Sequence, residues 1–258
     1  MIPKRIHYCW FGRGDKPKLV QKCIKSWTKH CPDYEIIEWN EDNYDLSTAP
    51  LFVKQAIEAK KWAYATDYIR LKVVYDHGGV YLDTDVEVIK SMDSLLRDTA
   101  FFGFQNKCNV ATGLGFGAEK GNALLLDLMK GYEGIPFIFE DGSMNATPCP
   151  LRDAPVFEQY GLKQDGSEQY LNGNIHIYPM EFFSPFDYRT GHMKKTKHTV
   201  SIHWFAASWF SEKQLRRRRI RWIRNGLLYV PMRLSKKVLG QERFERLKRW
   251  VKGKLRGT

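Results

Sequence analysis

Apolar positions along the first forty residues change from strand to helical spacing and back, which predicts an α/β fold. RIHYCWFG (5–12) is β-branched and aromatic and then runs into a Gly-rich loop, as a first strand does. LVQKCIKSWTKHC places Val20, Ile24 and Trp27 at helical spacing. YEIIEWNED (34–42) has the pattern of a second strand. A strand, a helix and a strand in this order predict a parallel sheet with a right-handed crossover.

The middle of the chain continues the alternation of helices and strands. Helix formers run from Pro50 to Asp76 and predict two helices or one kinked helix, with Ser47 or Thr48 as the cap and Gly78-Gly79 as the stop. VYLDTDVEVI reads as a strand, an interruption and a second strand. Later elements are two strands within 101–118, a helix over 122–132, a short helix near 153–160 in loop-rich sequence, and strands within 174–185 and 199–210.

Charge is distributed unevenly and divides the chain at about residue 211. From Glu212 to the end there are 17 Lys and Arg against 3 Asp and Glu, while the remainder carries 24 against 26. The sequence therefore predicts a domain over 1–211 and a basic, amphipathic helical extension over 212–258. Five cysteines without a CxxC pair favour a reducing compartment. No signal peptide or apolar span is evident, so the predicted location is cytoplasmic.

The interrupted strand, GGVYLDTDVEV (78–88), carries the candidate chemistry. Residues two apart on a strand face the same side, so Asp83 and Asp85 project together. Two anionic oxygen donors on one face suit Mg²⁺ or Mn²⁺, especially when a phosphate completes the coordination. The alternative is a solvated bulge without chemistry.

Asp67 and Arg70 lie three residues apart on the helix that leads into this motif, so they share one helix face. A surface ion pair is the simplest interpretation. The helix is apolar almost all round, however, and a buried Asp and Arg require partners. A sugar hydroxyl and a phosphate are partners of the right chemistry.

Three blocks together carry a family resemblance: IHYCWFG, then ATDYIRLKVVYDHGGVYLDTDVEV, then HWFAASW. The set resembles the DxD sugar transferases of glycosyltransferase family 32, which are related to the yeast initiating mannosyltransferases and to glucosylating bacterial toxins. The most specific part is D-x-x-R, a spacer and GG-x-Y-x-D-x-D in fixed register. The resemblance implies a GT-A fold, a Rossmann-like mixed sheet flanked by helices, which binds a nucleotide sugar through Mn²⁺ (or Mg²⁺) and transfers the sugar with retention.

The resemblance also assigns roles on the donor side. It implies that Trp10 stacks on the nucleotide base and that Tyr81 lies beside the donor. Asp67 and Arg70 are expected to hold the transferred sugar, with Arg70 also near the diphosphate. Together with Asp85 they are the predicted catalytic residues.

The same resemblance implies a metal site and a closing loop. Asp83 is expected to contact the ribose and reach the metal, Asp85 to ligate it directly, and His203 to be the late ligand. Ser208 and Trp209 are expected to close over the diphosphate. Within NVATGLGFGA, the positions expected to contact the sugar or the acceptor are Asn109, Thr112 and Gly113.

These expectations together predict a function, and two alternative functions stay open. The chain is predicted to move a hexose, from a UDP-sugar in the first instance, to a glycan or lipid-linked acceptor in capsular or other bacterial surface polysaccharide synthesis. Interleaved Arg and apolar residues in the tail favour peripheral binding to the anionic inner face of the cell membrane over nucleic acid or packing on the domain. The rivals are a non-catalytic nucleotide-sugar or glycan binder in an assembly complex, and a Mg²⁺-dependent phosphohydrolase.

Overall fold

The structure is a computed structural model of the 258-residue chain and describes residues 1–188 and 190–206, together with a few residues further on. Those further residues are Lys213, Arg216, Arg217, Ile220 and Trp222. The chain divides into two compact units, Met1–Phe186 with Lys194–Trp209, and Asp187–Met193 with Phe210–Thr258. The predicted basic extension lies largely outside the described residues.

A mixed sheet forms the centre of the first unit. The strands of the described residues are β1 (Arg5–Cys9), β2 (Glu35–Trp39), β3 (Gly79–Tyr81), β4 (Val86–Val88), β5 (Ala100–Gly103), β6 (Phe116–Ala118), β7 (Gln169–Leu171), β8 (Ile175–Tyr178), β9 (Phe186–Asp187), β10 (His192–Met193) and β11 (Ser201–His203). Seven of them form the main sheet in the order β2-β1-β3-β6-β5-β8-β7. The short strands β4 and β11 pair separately.

Strand directions in the main sheet place the candidate site. β1 pairs in parallel with β2 and with β3, whereas β6 pairs antiparallel with β3 and β5. The carboxyl ends of β1 and β3 therefore lie at the same edge, where open α/β sheets bind their ligands. This mixed sheet, flanked by helices, confirms the predicted fold class.

Helices cover the sheet, and their apolar faces explain why they form. The helices of the described residues are α1 (Lys18–His30), α2 (Leu51–Glu58), α3 (Trp62–His77), α4 (Ala123–Lys130) and α5 (Cys149–Gln159). α1 buries Val20, Cys23 and Trp27, which recur at helical spacing. Its Trp27 Nε1 donates a hydrogen bond of 2.8 Å to the Val86 carbonyl, so α1 is fixed against β4.

α3 is the central helix of the site and is buried on most of its surface. It contacts α2, α4 and β1. Arg70 is among its buried residues, with only 4% of its surface exposed. A guanidinium at that depth requires charged or polar partners, as the sequence predicts.

A glycine turn joins α3 to β3 and is held by a buried histidine. Gly78 and Gly79 have φ angles of +65° and +121°, which residues with a side chain rarely adopt. His7 Nε2 donates to the Gly78 carbonyl (2.9 Å), and its Nδ1 accepts from Trp39 Nε1 (3.1 Å). Burial lowers the pKa of His7 to about 4, so the ring is neutral at physiological pH and keeps this tautomer.

Three local predictions differ from the structure. Pro50, not Ser47 or Thr48, occupies the N-cap of α2, because residues 46–48 form their own 3₁₀ turn capped by Asp45. α5 begins at Cys149 rather than near 153, since Pro150 fits the first turn of a helix. β7 was not predicted, because its three residues lack an alternating pattern long enough to detect.

Among the helices that the structure describes, none combines the length and the apolar character needed to cross a bilayer.

Candidate active site

The DTD triplet is a break between two strands of different sheets. β3 ends at Tyr81 and β4 begins at Val86, so the two aspartates lie in the connection. β4 pairs antiparallel with β11, and this register puts Val86 opposite His203. The imidazole Nε2 of His203 thereby lies 3.1 Å from Asp85 Oδ1. The interruption of the strand is what brings the late histidine to the motif.

Asp85 and His203 form a buried charged pair. Burial disfavours the charge of Asp85, but His203 and the Ala206 N–H, which donates to Oδ2 at 2.6 Å, lower the pKa of this carboxyl below its ordinary value. Burial likewise disfavours the His203 cation, and Asp85 overcomes this and raises the pKa of His203. In the absence of a cation the two groups therefore neutralise each other.

Asp83, Asp85 and His203 have the composition and spacing of a divalent-cation site. Each offers one ligand atom, and these atoms lie within 4.8 Å of one another. The Nδ1 atom of His203 is buried and has no hydrogen-bond partner in the described part of the chain. Two carboxylates and one imidazole suit Mn²⁺ or Mg²⁺, so the residues present fit the predicted metal. The structure brings all three predicted ligands together.

Arg70 lies between two carboxylates and connects the helix to the motif. Its Nη2 is 2.9 Å from Asp67 Oδ1 and 3.4 Å from Asp83 Oδ1, and its Nε donates to the Thr66 carbonyl at 3.0 Å. Burial opposes the charge, yet Asp83 and Asp67 raise the pKa of Arg70 well above its ordinary value. The guanidinium also lies 5.3 Å from the centre of the Tyr81 ring. Arg70 is thus a fixed cation in direct contact with Asp83, one of the three predicted metal ligands.

Asp67 is the buried acid of the site. Its side chain is 13% exposed, and burial raises its pKa to about 6 against the opposing charge of Arg70. The Cys149 thiol, in the first turn of α5, acts against burial and favours the ionised form of this carboxyl, which lowers its pKa. Thr112 Oγ1 lies 3.8 Å from the same sulfur and 3.5 Å from Arg70 Nη1. Arg70 therefore holds Asp67 directly, and Thr112 in turn contacts Arg70.

Gly113 provides clearance at the centre of the site. A Cβ at this position would lie 2.7 Å from Asp83 Oδ2 and 3.1 Å from Arg70 Nη1. Thr112 and Gly113 were both predicted as donor contacts, and the structure places both against the Arg70 guanidinium. Only a residue without a side chain leaves the Asp83 carboxylate where it is.

We expect Gly113→Ala to weaken Mn²⁺ binding by at least about tenfold, equivalent to about 1.4 kcal/mol. The added methyl group displaces Asp83, a predicted metal ligand. Calorimetric titration of Mn²⁺ measures the effect. Gly14→Ala is the matched control, because a Cβ at Gly14 meets nothing within 4 Å. Equal Mn²⁺ affinities for both variants and the unmodified chain would contradict the prediction.

The other predicted donor residues have different outcomes. Trp10 follows β1 at the edge of the sheet where the DTD motif lies. It is half-buried, and its Nε1 donates a hydrogen bond of 2.7 Å to the Gly14 carbonyl. That Trp10 stacks on the nucleotide base stays a prediction. Tyr81 is 1% exposed and lies under Arg70. Asn109 closes a turn by accepting from the Gln105 N–H. The remaining two predicted residues, Ser208 and Trp209, lie outside the described residues.

Behind Asp67 lies a polar group that the sequence did not indicate. Asp153 and Tyr132 are each 1% exposed, and neither their carboxylate oxygens nor the phenol have hydrogen-bond partners among the described residues. The Arg152 guanidinium lies 4.9 Å from the centre of the Tyr132 ring. Burial raises the pKa of Asp153 well above its ordinary value. No motif links these positions, because Tyr132 follows α4 whereas α5 brings Arg152 and Asp153 from a loop-rich segment.

Comparison with known proteins agrees with this geometry. Residues 17–102 match the family described as the glycosyltransferase sugar-binding region containing the DXD motif. That segment includes Asp67, Arg70, Asp83 and Asp85. The match ends within β5, so the late histidine, His203, is outside it.

Two curated fungal proteins are similar to the chain. One is inositol phosphoceramide mannosyltransferase 3 of Schizosaccharomyces pombe, 27% identical over 53% of this chain and 38% of the relative. The other is a mannosyl phosphorylinositol ceramide synthase of Saccharomyces cerevisiae, 26% identical over 73% of this chain and 49% of the relative. The chain spans less than half the length of either protein.

A solved structure, the PaToxG glycosyltransferase, covers 61% of this chain and 68% of its own, with 18% identity and a TM-score of 0.49. That likeness is too distant to add to the assignment. The sequence match and the fungal relatives confirm the resemblance to the DXD glycosyltransferases of family 32. Residues 17–102 are thus similar to a glycosyltransferase sugar-binding region of the DXD type.

Proposed function

We propose that the chain is a metal-dependent glycosyltransferase that moves a hexose from a nucleotide-sugar donor to a glycan or lipid-linked acceptor. One observation carries the proposal. Arg70, inside a DXD sugar-binding region, contacts the buried acid Asp67 on one side and the metal-ligand cluster on the other. A sugar diphosphate needs these three groups at this spacing: an acid for hydroxyls, a cation for phosphate and ligands for a divalent ion.

Each of these residues has a defined task in the proposed reaction. Asp67 accepts hydrogen bonds from sugar hydroxyls and orients the ring. Arg70 stabilises the negative charge that develops on the departing diphosphate. Asp83, Asp85 and His203 would hold the divalent ion, which neutralises the same leaving group when bound. Burial of the site strengthens all of these electrostatic contacts.

We also propose that transfer retains the anomeric configuration by attack from the face of the leaving group. Each of the three carboxylates in the described site has a partner: Asp67 and Asp83 contact Arg70, and Asp85 contacts His203. None of the three is free to act as a nucleophile. The proton of the acceptor hydroxyl would then pass to the departing phosphate. Measuring the anomeric configuration of the product by NMR tests this.

The acceptor and the sugar are proposed from the relatives and from the sequence. The fungal relatives are named for transfer of mannose to inositol phosphoceramide, a phosphate-bearing lipid. We therefore include mannose beside the UDP-hexoses as the donor sugar. For the acceptor we propose a glycan or lipid-linked glycan of the kind assembled in capsule and other surface polysaccharides.

The test is hydrolysis of a panel of UDP- and GDP-sugars by the full chain, with and without Mn²⁺. We expect turnover of one nucleotide sugar that stops when EDTA removes the metal. Saturable binding of a nucleotide sugar without turnover would support a non-catalytic binder instead. Release of phosphate from simple phosphate esters would favour a phosphohydrolase.

Metal binding is expected to depend on pH through His203. Asp85 raises the pKa of His203 above its ordinary value, so the ring carries a proton in the metal-free protein near pH 6. A divalent ion must displace that proton, and its affinity therefore falls about tenfold per pH unit below the pKa. Titration of Mn²⁺ between pH 5.5 and 8 checks this. The same affinity across that range would contradict it.

We propose that residues 212–258 bind the chain to the anionic inner face of a membrane. Their composition of Arg and Lys among Leu, Ile and Trp supports this. Co-sedimentation of the full chain with anionic vesicles tests it, with glutamine replacing the four arginines at 216–219. Equal pelleting of both proteins would contradict membrane binding through this segment.

A further inference from the structure

A cavity of about 350 Å³ opens at the start of α3, and none of the residues that line it is a predicted donor residue. The turn before the helix contributes Lys60 and Lys61. The first helical turn contributes Trp62 and Tyr64, and Met144 closes the rim from a neighbouring hairpin. Pockets for small molecules begin at about this volume, so the cavity suits one ring-sized group rather than a long oligosaccharide.

The cavity borders the position of the transferred sugar. Tyr64 and Asp67 lie three residues apart on one helix face, and the Asp67 charge contributes to raising the pKa of Tyr64, after burial. On the other side, a Cβ at Gly12 would lie 2.8 Å from Trp62 Nε1, so Trp62 contacts the loop that follows Trp10. An occupant of the cavity would therefore lie between that loop and the sugar.

Lys60 and Lys61 give the cavity two positive charges, which suit an anion other than the donor diphosphate. The diphosphate is accounted for by Arg70 and the metal ligands, and Arg70 lies nine residues beyond Lys61, roughly 13 Å along the helix. Lys60 and Lys61 form no ion pair among the described residues. The backbone of the turn that carries them is held, because the Lys60 N–H donates to the Ile57 carbonyl and the Lys61 N–H donates to the Ala56 carbonyl.

The lining also suits a hydroxylated ring. Trp62 and Tyr64 offer aromatic faces that pack against the C–H face of a sugar or cyclitol, and the Trp62 and Tyr64 polar atoms can bond to hydroxyls. Met144 is 47% exposed and adds an apolar rim. Cations, aromatic rings and an apolar rim together favour a polyhydroxylated head group that bears a phosphate ester. Lysine binds such a phosphate as a point charge.

We propose that this cavity is the acceptor subsite and that it takes a ring bearing a phosphodiester, held by Lys60 and Lys61 and stacked on Trp62 and Tyr64. The proposal rests on the transferase function above, since it names the substrate that receives the sugar. The phosphodiester can belong to a lipid head group or to a soluble glycan, and its chemistry is the same in both.

The test is calorimetric titration of glycerophosphoinositol, a head group without acyl chains, into the full chain. We expect K60E/K61E to bind it at least about tenfold more weakly, equivalent to about 1.4 kcal/mol. K60R/K61R should keep the affinity, because charge is retained. K25E/K29E on α1 is the matched control with the same charge change at exposed lysines. Thermal unfolding of each variant confirms that it is folded.

Further measurements determine whether the phosphodiester is required and whether it comes from a lipid or from a soluble glycan. Neutral myo-inositol should bind more weakly than the phosphodiester. In the chain with glutamine at 216–219, which removes arginines of the tail, vesicles containing phosphatidylinositol should bind with the same dependence on Lys60 and Lys61 if a lipid supplies the head group. Binding of vesicles alone, lost in K60E/K61E, supports a lipid acceptor, whereas binding of the soluble probe alone supports a soluble one.

Three results would overturn the acceptor subsite. The first is that K60E/K61E binds glycerophosphoinositol as tightly as the unmodified chain. The second is that the unmodified chain binds inorganic phosphate as tightly as glycerophosphoinositol. The third is competitive displacement of glycerophosphoinositol by UDP, which would assign the cavity to the nucleotide. Failure of the transferase function is distinguishable, because it would appear as absence of nucleotide-sugar turnover in the unmodified chain.

Discussion

Asp85→Ala is expected to lower metal-dependent turnover of the nucleotide sugar by roughly a thousandfold or more, about 4 kcal/mol of transition-state stabilisation. Asp85 is the carboxylate on which the metal cluster depends, because it contacts His203 at 3.1 Å and is held by the Ala206 N–H. Without it the cluster keeps Asp83 and His203 only. Turnover and Mn²⁺ affinity, measured on the same preparation, should be lost together.

Removal of Asp85 also leaves a buried cation unpaired, so the alanine variant loses stability. Asp85→Asn is the second variant, since its amide oxygen still accepts from Ala206 while the charge is removed. Asp165→Ala is the control for loss of a carboxylate at an exposed turn. Turnover by Asp85→Asn within tenfold of the unmodified chain would remove Asp85 from the catalytic residues.

Asp67→Asn is expected to inactivate the protein and to stabilise it at the same time. Burial raises the pKa of Asp67 from 3.8 to about 6, so its ionised form costs the folded state free energy at neutral pH. Two pK units correspond to about 3 kcal/mol with the attraction of Arg70 already included, and part of it is offset because an amide replaces the contacts of a carboxylate imperfectly. We expect a net gain of about 1–2 kcal/mol at pH 7, or roughly 2–6 °C in Tm.

The dependence on pH distinguishes this cause from others. The folded state binds the Asp67 proton more tightly than the unfolded state, so its stability falls as pH rises from about 4 to about 6. The variant lacks this titration. Its advantage in Tm should therefore be present at pH 7 and disappear by pH 4. A constant difference at both pH values, or a lower Tm at pH 7, would contradict the account.

Local patterns were sufficient to predict the part of the site that is continuous in sequence. Asp67 and Arg70 share one face of α3 through helical spacing, as predicted. Asp83 and Asp85 lie in the connection between β3 and β4, so a turn and not strand alternation brings them together. The structure brings them together as expected. His203 required the family resemblance, because only the pairing of β4 with β11 brings it to the motif.

The groups behind and beside the site could not be predicted from spacing. Cys149 and Asp153 come from a segment rich in loop residues, and their proximity to Asp67 depends on where α5 packs. Lys60 and Lys61 read as ordinary solvated charges at the end of a helix. Only the three-dimensional position of Met144 across from them reveals a cavity.

The single guanidinium between Asp67 and Asp83 has an evolutionary consequence. The same side chain contacts the residue proposed to recognise the sugar and a residue proposed to ligate the metal, at 2.9 and 3.4 Å. A substitution that moves Arg70 to suit another sugar also moves a metal ligand. We therefore expect donor preference and metal preference to be coupled, so that a substitution that changes one requires a compensating change near the other.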